Sequence, residues 1–238
     1  MKHEHIVRSF DEELNQLNSM IAEMGGMAES QLAAAVDAMV RRDVKAALLI
    51  KKADKKIDAL ESAIDDHAMR ILALRQPMAD DLRGVIVALK TAAIIERIGD
   101  YAKNIAKRTQ VLAESPTLGA TKTVKRMASL VQPMIKDVLD AYVTRDATKA
   151  EDVRLRDEDV DSLHTSLFRE LLTYMMEDQK NITAASHMMF IAKNIERIGD
   201  HATNIAENVH YLVHGEMPEE ARPKSDASVY VIDSGTDA

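Results

Sequence analysis

The chain has 238 residues, no cysteine and a formal net charge of −8 at pH 7. Without cysteine there can be no disulfide or thiol chemistry, so any bound metal must be held by oxygen or nitrogen ligands. The negative charge argues against a nucleic-acid-binding protein, which normally carries a basic face. Lys90 interrupts the run VIVALKTAAII, and charged residues occupy the N-terminal segment where a signal peptide needs its apolar core. We therefore expect a cytoplasmic protein with no membrane insertion of its own.

The first half of the chain predicts three long helices. Apolar residues recur every three or four positions from about residue 6 to 41, which is the spacing of a helix with one buried face. The motif RRD at 41–43 indicates a break, with Asp43 as the N-cap of a second helix that ends near Arg75, before a proline. A third helix is expected over about 79–113.

The pattern then restarts, and three further helices are expected over about 118–145, 147–177 and 179–213. The eight glycines and five prolines of the chain leave few turn signals, in agreement with long helices. Gly215 and the prolines that follow it end the last helix. The tail from 216 to 238 is polar and is expected to be disordered.

One polar phrase occurs twice. The segment IERIGDYAKNIA occupies 95–106 and IERIGDHATNIA occupies 195–206, with ten of twelve positions identical. A repeat of this kind indicates a duplicated supersecondary unit, and short connections between long helices favour antiparallel neighbours. The sequence therefore predicts an all-α protein made of two tandem three-helix bundles, over residues 1–115 and 116–215.

Each half also carries two pairs of acidic residues, one on its second helix and one on its third. Both members of a pair are four positions apart, which places them on one face of a helix. If the two pairs of a half faced each other, each carboxylate would raise the pKa of the next, and a hard cation such as Mg²⁺, Mn²⁺, Fe or Ca²⁺ would remove the conflict. The candidate metal ligands are these carboxylates and the asparagine one turn beyond each ERIGD phrase: Asp54, Asp58, Glu96, Asp100, Asn104, Asp157, Asp161, Glu196, Asp200 and Asn204.

Gly99 and Gly199 stand beside the last carboxylate of each ERIGD phrase. Glycine inside a helix costs about 1 kcal/mol relative to alanine, so its repeated use suggests the close approach of another helix or of a ligand. A plainer explanation is that the carboxylates lie on solvated faces, with Asp54 and Asp58 neutralised by lysines 51, 52, 55 and 56. His201 would be a neighbour of the site and not a ligand, because a tyrosine stands at the equivalent position of the first half.

With these motifs the sequence resembles the PhoU family of phosphate-transport accessory and regulatory proteins. The resemblance covers about residues 3–215 and rests on the two ERIGD phrases, on the opening motif around Phe10 and Asp11, and on LRQPMADDLR at 74–83. It implies a duplicated three-helix bundle whose E(D)xxxD motifs bind multinuclear metal clusters in some members. Those motifs fall on the eight carboxylates named above. Asp81 has no counterpart in the second half and is a weaker candidate.

The resemblance further implies a negative regulator of the phosphate-starvation response. Such a protein links the ATPase subunit of the high-affinity phosphate importer to the sensor histidine kinase. We expect no enzymatic activity, because the chain lacks the P-loop motif G-x-x-x-x-G-K-[ST] and shows no serine or cysteine nucleophile motif. Methionines on several faces of the long helices suit adaptable contacts, and members of the family often self-associate. We therefore expect a homodimer.

Two other functions remain open. One is a ferritin-like di-iron carboxylate enzyme or metal-storage bundle, although that class uses Glu-x-x-His pairs and we expect none beside either ERIGD phrase. The other is a purely structural helical adaptor, in which the carboxylates would be dispensable. For the metal itself we expect divalent or ferric ions, with Fe, Mn, Mg and Zn as candidates.

Overall fold

The computed structural model describes residues 2–218 and shows six long α-helices. They are α1 (Lys2–Arg41), α2 (Val44–Arg75), α3 (Ala79–Glu114), α4 (Thr121–Thr144), α5 (Ala147–Glu177) and α6 (Ile182–His214), with a 3₁₀ turn at Gln179–Asn181. No strand occurs within residues 2–218, so the all-α prediction is confirmed. Of the tail that was expected to be disordered, residues 219–238 lie outside the described part of the chain.

Equivalent caps begin the middle helix of each half. The Asp43 carboxylate accepts a hydrogen bond from the backbone N–H of Ala46 at 2.9 Å, and the Asp146 carboxylate accepts one from Lys149 at 3.0 Å. The arginine before each aspartate has a positive φ, 57° at Arg42 and 54° at Arg145. The same tight connection is thus built twice, and the predicted N-cap at Asp43 is confirmed.

The last helix begins later than predicted. The sequence pattern places its start at 179, whereas Gln179–Asn181 form the 3₁₀ turn and α6 starts at Ile182. The Asp178 carboxylate accepts from the backbone N–H of Lys180 at 2.9 Å, and the Asn181 amide donates to the Tyr174 carbonyl at 3.1 Å. These local bonds hold the tight turn that reverses the chain between α5 and α6.

The two halves meet along their third helices. α3 packs against α1, α2 and α6, while α6 packs against α3, α4 and α5, and α1 also touches α4. The inward faces of α3 and α6 carry equivalent buried residues, among them Ile98 and Ile198, which are both fully buried. A single apolar core therefore runs through both bundles, and α3 and α6 lie at its centre.

Aromatic and cationic side chains join α3 to α6. The rings of Tyr101 and His201 stack with centroids 5.5 Å apart and planes 18° apart. These two residues occupy equivalent positions in the repeat, so equivalent points of the two third helices meet here. Cations also lie over rings across this seam, with Arg108 4.2 Å from the Phe190 centroid and Arg197 5.7 Å from the Tyr101 centroid.

The paired caps give a first prediction. Replacing Asp43 by alanine leaves a helix N-terminal N–H without its side-chain acceptor, so the free energy of unfolding should fall by about 0.5–2 kcal/mol. Asp146→Ala should cost a similar amount, because its bond has the same geometry. Urea unfolding followed by circular dichroism measures both changes. Asp43→Asn is the matched control, since asparagine caps as well as aspartate, and an equal loss in that variant would contradict the explanation.

Candidate functional site

The structure places the carboxylates of each half between its second and third helices. In the first half Asp54 of α2 and Asp100 of α3 share a hydrogen-bonding partner, the ammonium of Lys103. In the second half the electrostatic neighbours of Glu196 include Asp161 of α5 and Asp200 of α6. The predicted meeting of the two acidic pairs is therefore present in the geometry of both halves.

Asp54 is the best-supported carboxylate of the first half. It is only 3% exposed, and the Gln31 amide donates to it at 2.8 Å and to the Gly99 carbonyl at 2.9 Å. Lys103 donates to the other oxygen of Asp54 and to Asp100. Neutralisation of Asp54 on an exposed face by lysines 51–56 is therefore wrong, because the carboxylate is buried and its cation comes from α3.

Lys103 is a firmly held cation. Burial by itself lowers the pKa of Lys103, but the hydrogen bonds to Asp100 and Asp54 outweigh burial, so its pKa lies above the ordinary lysine value. The side chain is 19% exposed. Its ammonium therefore stays protonated at physiological pH and occupies the space between two carboxylates, where a metal ion would otherwise compensate them.

The outer part of the first-half cluster contains a residue that the sequence analysis missed. Burial raises the pKa of Glu96, and the nearby Asp100 and Glu61 raise it further. Burial, Asp65 and Asp58 likewise raise the pKa of Glu61. The position of Glu61, three residues after Asp58 on the same face of α2, was the available signal, since residues three and four apart are neighbours on a helix.

The second-half cluster is more deeply buried. Asp157 is 1% exposed, Asp161 3% and Glu196 5%. Asp54, the counterpart of Asp157, is also buried, but Asp58, the counterpart of Asp161, is exposed and Glu96, the counterpart of Glu196, is half-buried. Burial raises the pKa of Glu196, against the opposing effect of a hydrogen bond from Lys193. That bond, 2.7 Å long, reaches Oε1 of Glu196, while Oε2 has no hydrogen-bond partner among the described residues.

The glycines of the two ERIGD phrases allow close approach between helices. A Cβ atom on Gly199 would lie 2.9 Å from Oδ1 of Asp157, and one on Gly99 would lie 3.0 Å from Cδ1 of Ile57. Both distances are shorter than a normal carbon contact. The close approach expected from the sequence is therefore present, and in the second half the neighbouring group is the carboxylate itself.

The remaining candidates make other contacts or are more exposed to solvent. Asn104 accepts a hydrogen bond from Lys107 at 3.1 Å, Asn204 is half-buried on α6, and Asp81 is exposed in the first turn of α3. His201 stacks on Tyr101 in the seam, as a neighbour of the site. The expectation that no Glu-x-x-His stands beside an ERIGD phrase is wrong, because one occurs at 207–210, directly after the second phrase. Glu207 lies 3.9 Å from Arg154, and His210 packs against His214.

Among the residues that the structure describes, no group of three carboxylate or imidazole side chains is arranged as metal ligands. The first half already contains the Lys103 ammonium between two of its carboxylates. In the second half the three most buried carboxylates and the unbonded oxygen of Glu196 provide donor chemistry that fits a hard cation. The fit is therefore better in the second half than in the first.

Comparison with known proteins decides the family. The family model described as the PhoU domain matches residues 21–109 and 124–209, once in each bundle. The chain belongs to the PhoU family. Phosphate-specific transport system accessory protein PhoU homologs are 50% identical in Caulobacter vibrioides (94% of this chain, 97% of the relative) and 47% identical in Rhizobium meliloti (95% and 96%). Full-length alignment with such relatives confirms the resemblance found in the sequence.

Solved PhoU structures share the fold. The crystal structure of PhoU from Pseudomonas aeruginosa has a TM-score of 0.83 at 40% identity, covering 87% of this chain and all of that one. The phosphate transport system regulatory protein PhoU from Streptococcus pneumoniae also has a TM-score of 0.83, at 31% identity, over 89% of this chain and all of its own. The tandem three-helix bundles predicted from the repeat are thereby confirmed. No helix within residues 2–218 has the length and apolarity to cross a bilayer.

The raised pKa of Glu196 in this PhoU-family chain gives a second prediction. A carboxyl whose pKa is higher in the folded than in the unfolded state favours folding when protonated, and that contribution is lost as pH rises through the folded pKa. Glu196→Gln should therefore raise the melting temperature of metal-stripped protein at pH 8. The gain should shrink as pH falls towards the ordinary glutamate pKa of 4.5 and disappear below it, where the carboxyl is protonated in both the folded and the unfolded state.

Thermal unfolding in the presence of a chelator measures this difference. Glu216→Gln, at an exposed position beyond α6, is the matched control and should leave the melting temperature unchanged at both pH values. A Glu196→Gln protein that melts lower than wild type at pH 8 would show that the ionised carboxylate stabilises the fold.

Proposed function

We propose that this chain is a negative regulator of the phosphate-starvation response, linking the ATPase subunit of a high-affinity phosphate importer to a sensor histidine kinase. The observation that carries the proposal is the match of both bundles to the PhoU domain. Near full-length similarity to proteins named as accessory proteins of the phosphate-specific transport system supports it. Regulation of phosphate transport is the role that those names suggest for this chain.

The site geometry favours a regulator over a carboxylate-bridged di-iron enzyme. The side chains of the Glu-x-x-His at 207–210 have other partners, since Glu207 lies 3.9 Å from Arg154 on α5 and His210 packs against His214. Lys103 fills the space between Asp54 and Asp100. A di-iron centre built from both halves in the ferritin-like manner needs imidazole ligands beside its carboxylates, and these clusters supply oxygen atoms instead.

Metal binding belongs to the proposal. The carboxylates of the second half, Asp157, Asp161, Glu196 and Asp200, would hold a divalent or ferric ion, whose charge would compensate their burial. All four donors are hard oxygen atoms, so Mg²⁺, Mn²⁺ or iron suits them better than Zn²⁺, which takes nitrogen and sulfur ligands more readily. The ion would fix α5 against α6 and thereby the shape of the surface offered to partners.

We further propose that the protein acts in the cytoplasm as a homodimer that exchanges into a complex with the importer ATPase when phosphate is plentiful. Exposed apolar side chains support an assembly, since Met176 on α5 is 88% exposed and Met78, just before α3, is 81% exposed. Light scattering of the purified chain at high concentration should give twice the mass of the 26.4 kDa chain. A monomer would contradict the assembly and leave the regulatory role standing.

Deletion of the gene tests the regulatory role. Without the protein, phosphate-starvation genes should be expressed in phosphate-rich medium, because the signal from the importer no longer restrains the kinase. The transcript levels of those genes and the rate of phosphate uptake are the two measurements. Genes that stay silent in the deletion strain, with normal uptake, would contradict the proposal.

Complementation separates the regulator from a purely structural adaptor. Wild-type protein should restore repression, whereas Asp161→Asn combined with Asp200→Asn should fail to do so if the carboxylates serve regulation. Lys107→Thr, a change at an exposed position of α3, is the control that should complement fully. Full complementation by the double carboxylate variant would favour the adaptor.

A further inference from the structure

Three cations without a carboxylate partner lie along the seam between α3 and α6. Lys90 and Arg108 of α3 and Arg197 of α6 form no ion pair with a carboxylate of the part of the chain that the structure describes. Each lies over an aromatic ring across the seam, with centroids 5.8, 4.2 and 5.7 Å away; the rings, in the same order, are Tyr211, Phe190 and Tyr101. The chain as a whole carries a charge of −8, so the seam is opposite in sign to the rest of the molecule.

These cations and rings belong to one surface. On α3 the positions 90, 101 and 108 are 11 and 7 residues apart, and on α6 the positions 190, 197 and 211 are 7 and 14 apart. Such steps are close to whole numbers of helical turns, so each set follows one side of its helix. Lys90 and Arg197 are exposed, and Phe190 is 56% exposed. We call these six residues the seam surface.

Arg108 marks the far end of the seam surface. Its guanidinium is half-buried, and Nη1 lies 3.4 Å from Nδ1 of His187. The buried Nε has no hydrogen-bond partner among the described residues, and burial lowers the pKa of Arg108. A cation taken out of water is unfavourable unless an opposite charge or hydrogen-bond acceptors meet it. This end of the surface therefore fits an acidic group.

The chain beyond α6 starts at the other end of the seam surface. A Cβ atom on Gly215, just after α6, would lie 3.0 Å from the Arg83 guanidinium, and that guanidinium lies 5.7 Å from the Tyr211 centroid. Gly215 has a φ of 81°, the left-handed conformation that lets a chain reverse at the end of a helix. Residues 219–226 read EEARPKSD, with acidic groups at both ends and two basic residues between them.

We propose that the seam surface binds the segment 219–226 of the same chain, with Glu219 and Glu220 against Lys90 and Asp226 against Arg108. The length of the segment suits this path. Eleven residues separate Asp226 from Gly215 and span about 36–40 Å when extended. The 25 residues of α3 from Arg83, beside Gly215, to Arg108 span about 37 Å.

The order of charges along the segment matches the surface. The middle of the seam surface is bordered by Asp100 and Asp200, which precede the stacked rings of Tyr101 and His201. The basic residues at 222 and 224 come to this middle part, between the two cationic ends. A nucleic-acid backbone, with a negative charge at every step, would press phosphates against the same aspartates. A tethered segment also acts at an effective concentration in the millimolar range, so weak ion pairs suffice.

Occupation of the seam surface has a consequence for other proteins. An acidic segment of a partner that approaches Lys90 or Arg108 has to displace residues 219–226 first. The seam surface would therefore admit partners that compete well against the chain's own segment.

The absence of cysteine makes a direct distance measurement possible. Spin labels are attached to the full chain at Ser225→Cys in the segment and at Gln110→Cys, an exposed position of α3 two residues after Arg108. Double electron–electron resonance at low ionic strength should give one narrow distribution of short distances. At 1 M salt, where the Debye length is about 3 Å, the narrow component should be lost.

Charge variants of the labelled chain test the residues. Lys90→Gln combined with Arg108→Gln should abolish the narrow component. Lys122→Gln combined with Lys125→Gln removes the same charge from exposed positions of α4 and should leave the component unchanged. Lys90→Glu should also weaken the component, and adding Glu219→Lys and Glu220→Lys to that variant should restore it, because the ion pairs form again with their signs exchanged.

Three results would overturn the inference. One is a broad distribution of long distances at low salt in the chain that carries only the two labels. Another is a narrow component that persists both at 1 M salt and without the two end cations, because charge would then not hold the segment. The third is a short distance found only in mixtures of singly labelled chains, which would place the segment of a second copy on the surface. The salt titration needs no change in the seam surface, so it decides the matter even if a charge variant does not fold.

Discussion

A buried carboxylate must be compensated, and this constraint organises the centre of the protein. Within the described side chains, four carboxylates are less than one-tenth exposed, and all four belong to the repeated acidic pairs: Asp54, Asp157, Asp161 and Glu196. An ionised group in such a place is strongly unfavourable unless hydrogen bonds or an opposite charge meet it. The glycines of the ERIGD phrases let α2 pack closely against α3 and α5 pack closely against α6. The acidic clusters are therefore part of the helix packing as well as a potential binding site.

Duplication gave both bundles the same backbone, and their side chains have since diverged around it. The surface between the first two helices of each half is a second example. Ala34 and Ala53 stand on this surface in the first half, and the equivalent residues in the second half are Asp137 and Arg156, which pair at 2.8 Å. One surface is apolar and open, and the other is closed by an ion pair. Equivalent positions in the two bundles thus offer different chemistry to solvent.

The sequence predicted the helices well because their apolar periodicity is long and the duplicated connections at Asp43 and Asp146 mark the same ends. It also placed the acidic pairs on shared faces, since spacing by four fixes them on a helix. The partners of Asp54 could not be predicted in this way. Gln31 comes from α1, and Lys103 looks like an ordinary surface pair with Asp100 three residues earlier, so only the packing of three helices shows that its ammonium is inserted. The late start of α6 was not predicted, because it depends on the local hydrogen bonds made by the side chains of Asp178 and Asn181.

The seam between the bundles touches both clusters through adjacent residues. Asp100 is followed by Tyr101 and Asp200 by His201, and the two rings stack on each other across the seam. On each third helix one residue belongs to the acidic cluster while its neighbour rests against the other bundle. A rotation of α6 that moves Asp200 must therefore slide the His201 ring across Tyr101. The chain has no tryptophan, so its fluorescence comes from five tyrosines, and the contribution of Tyr101 would change as the His201 ring moves across it.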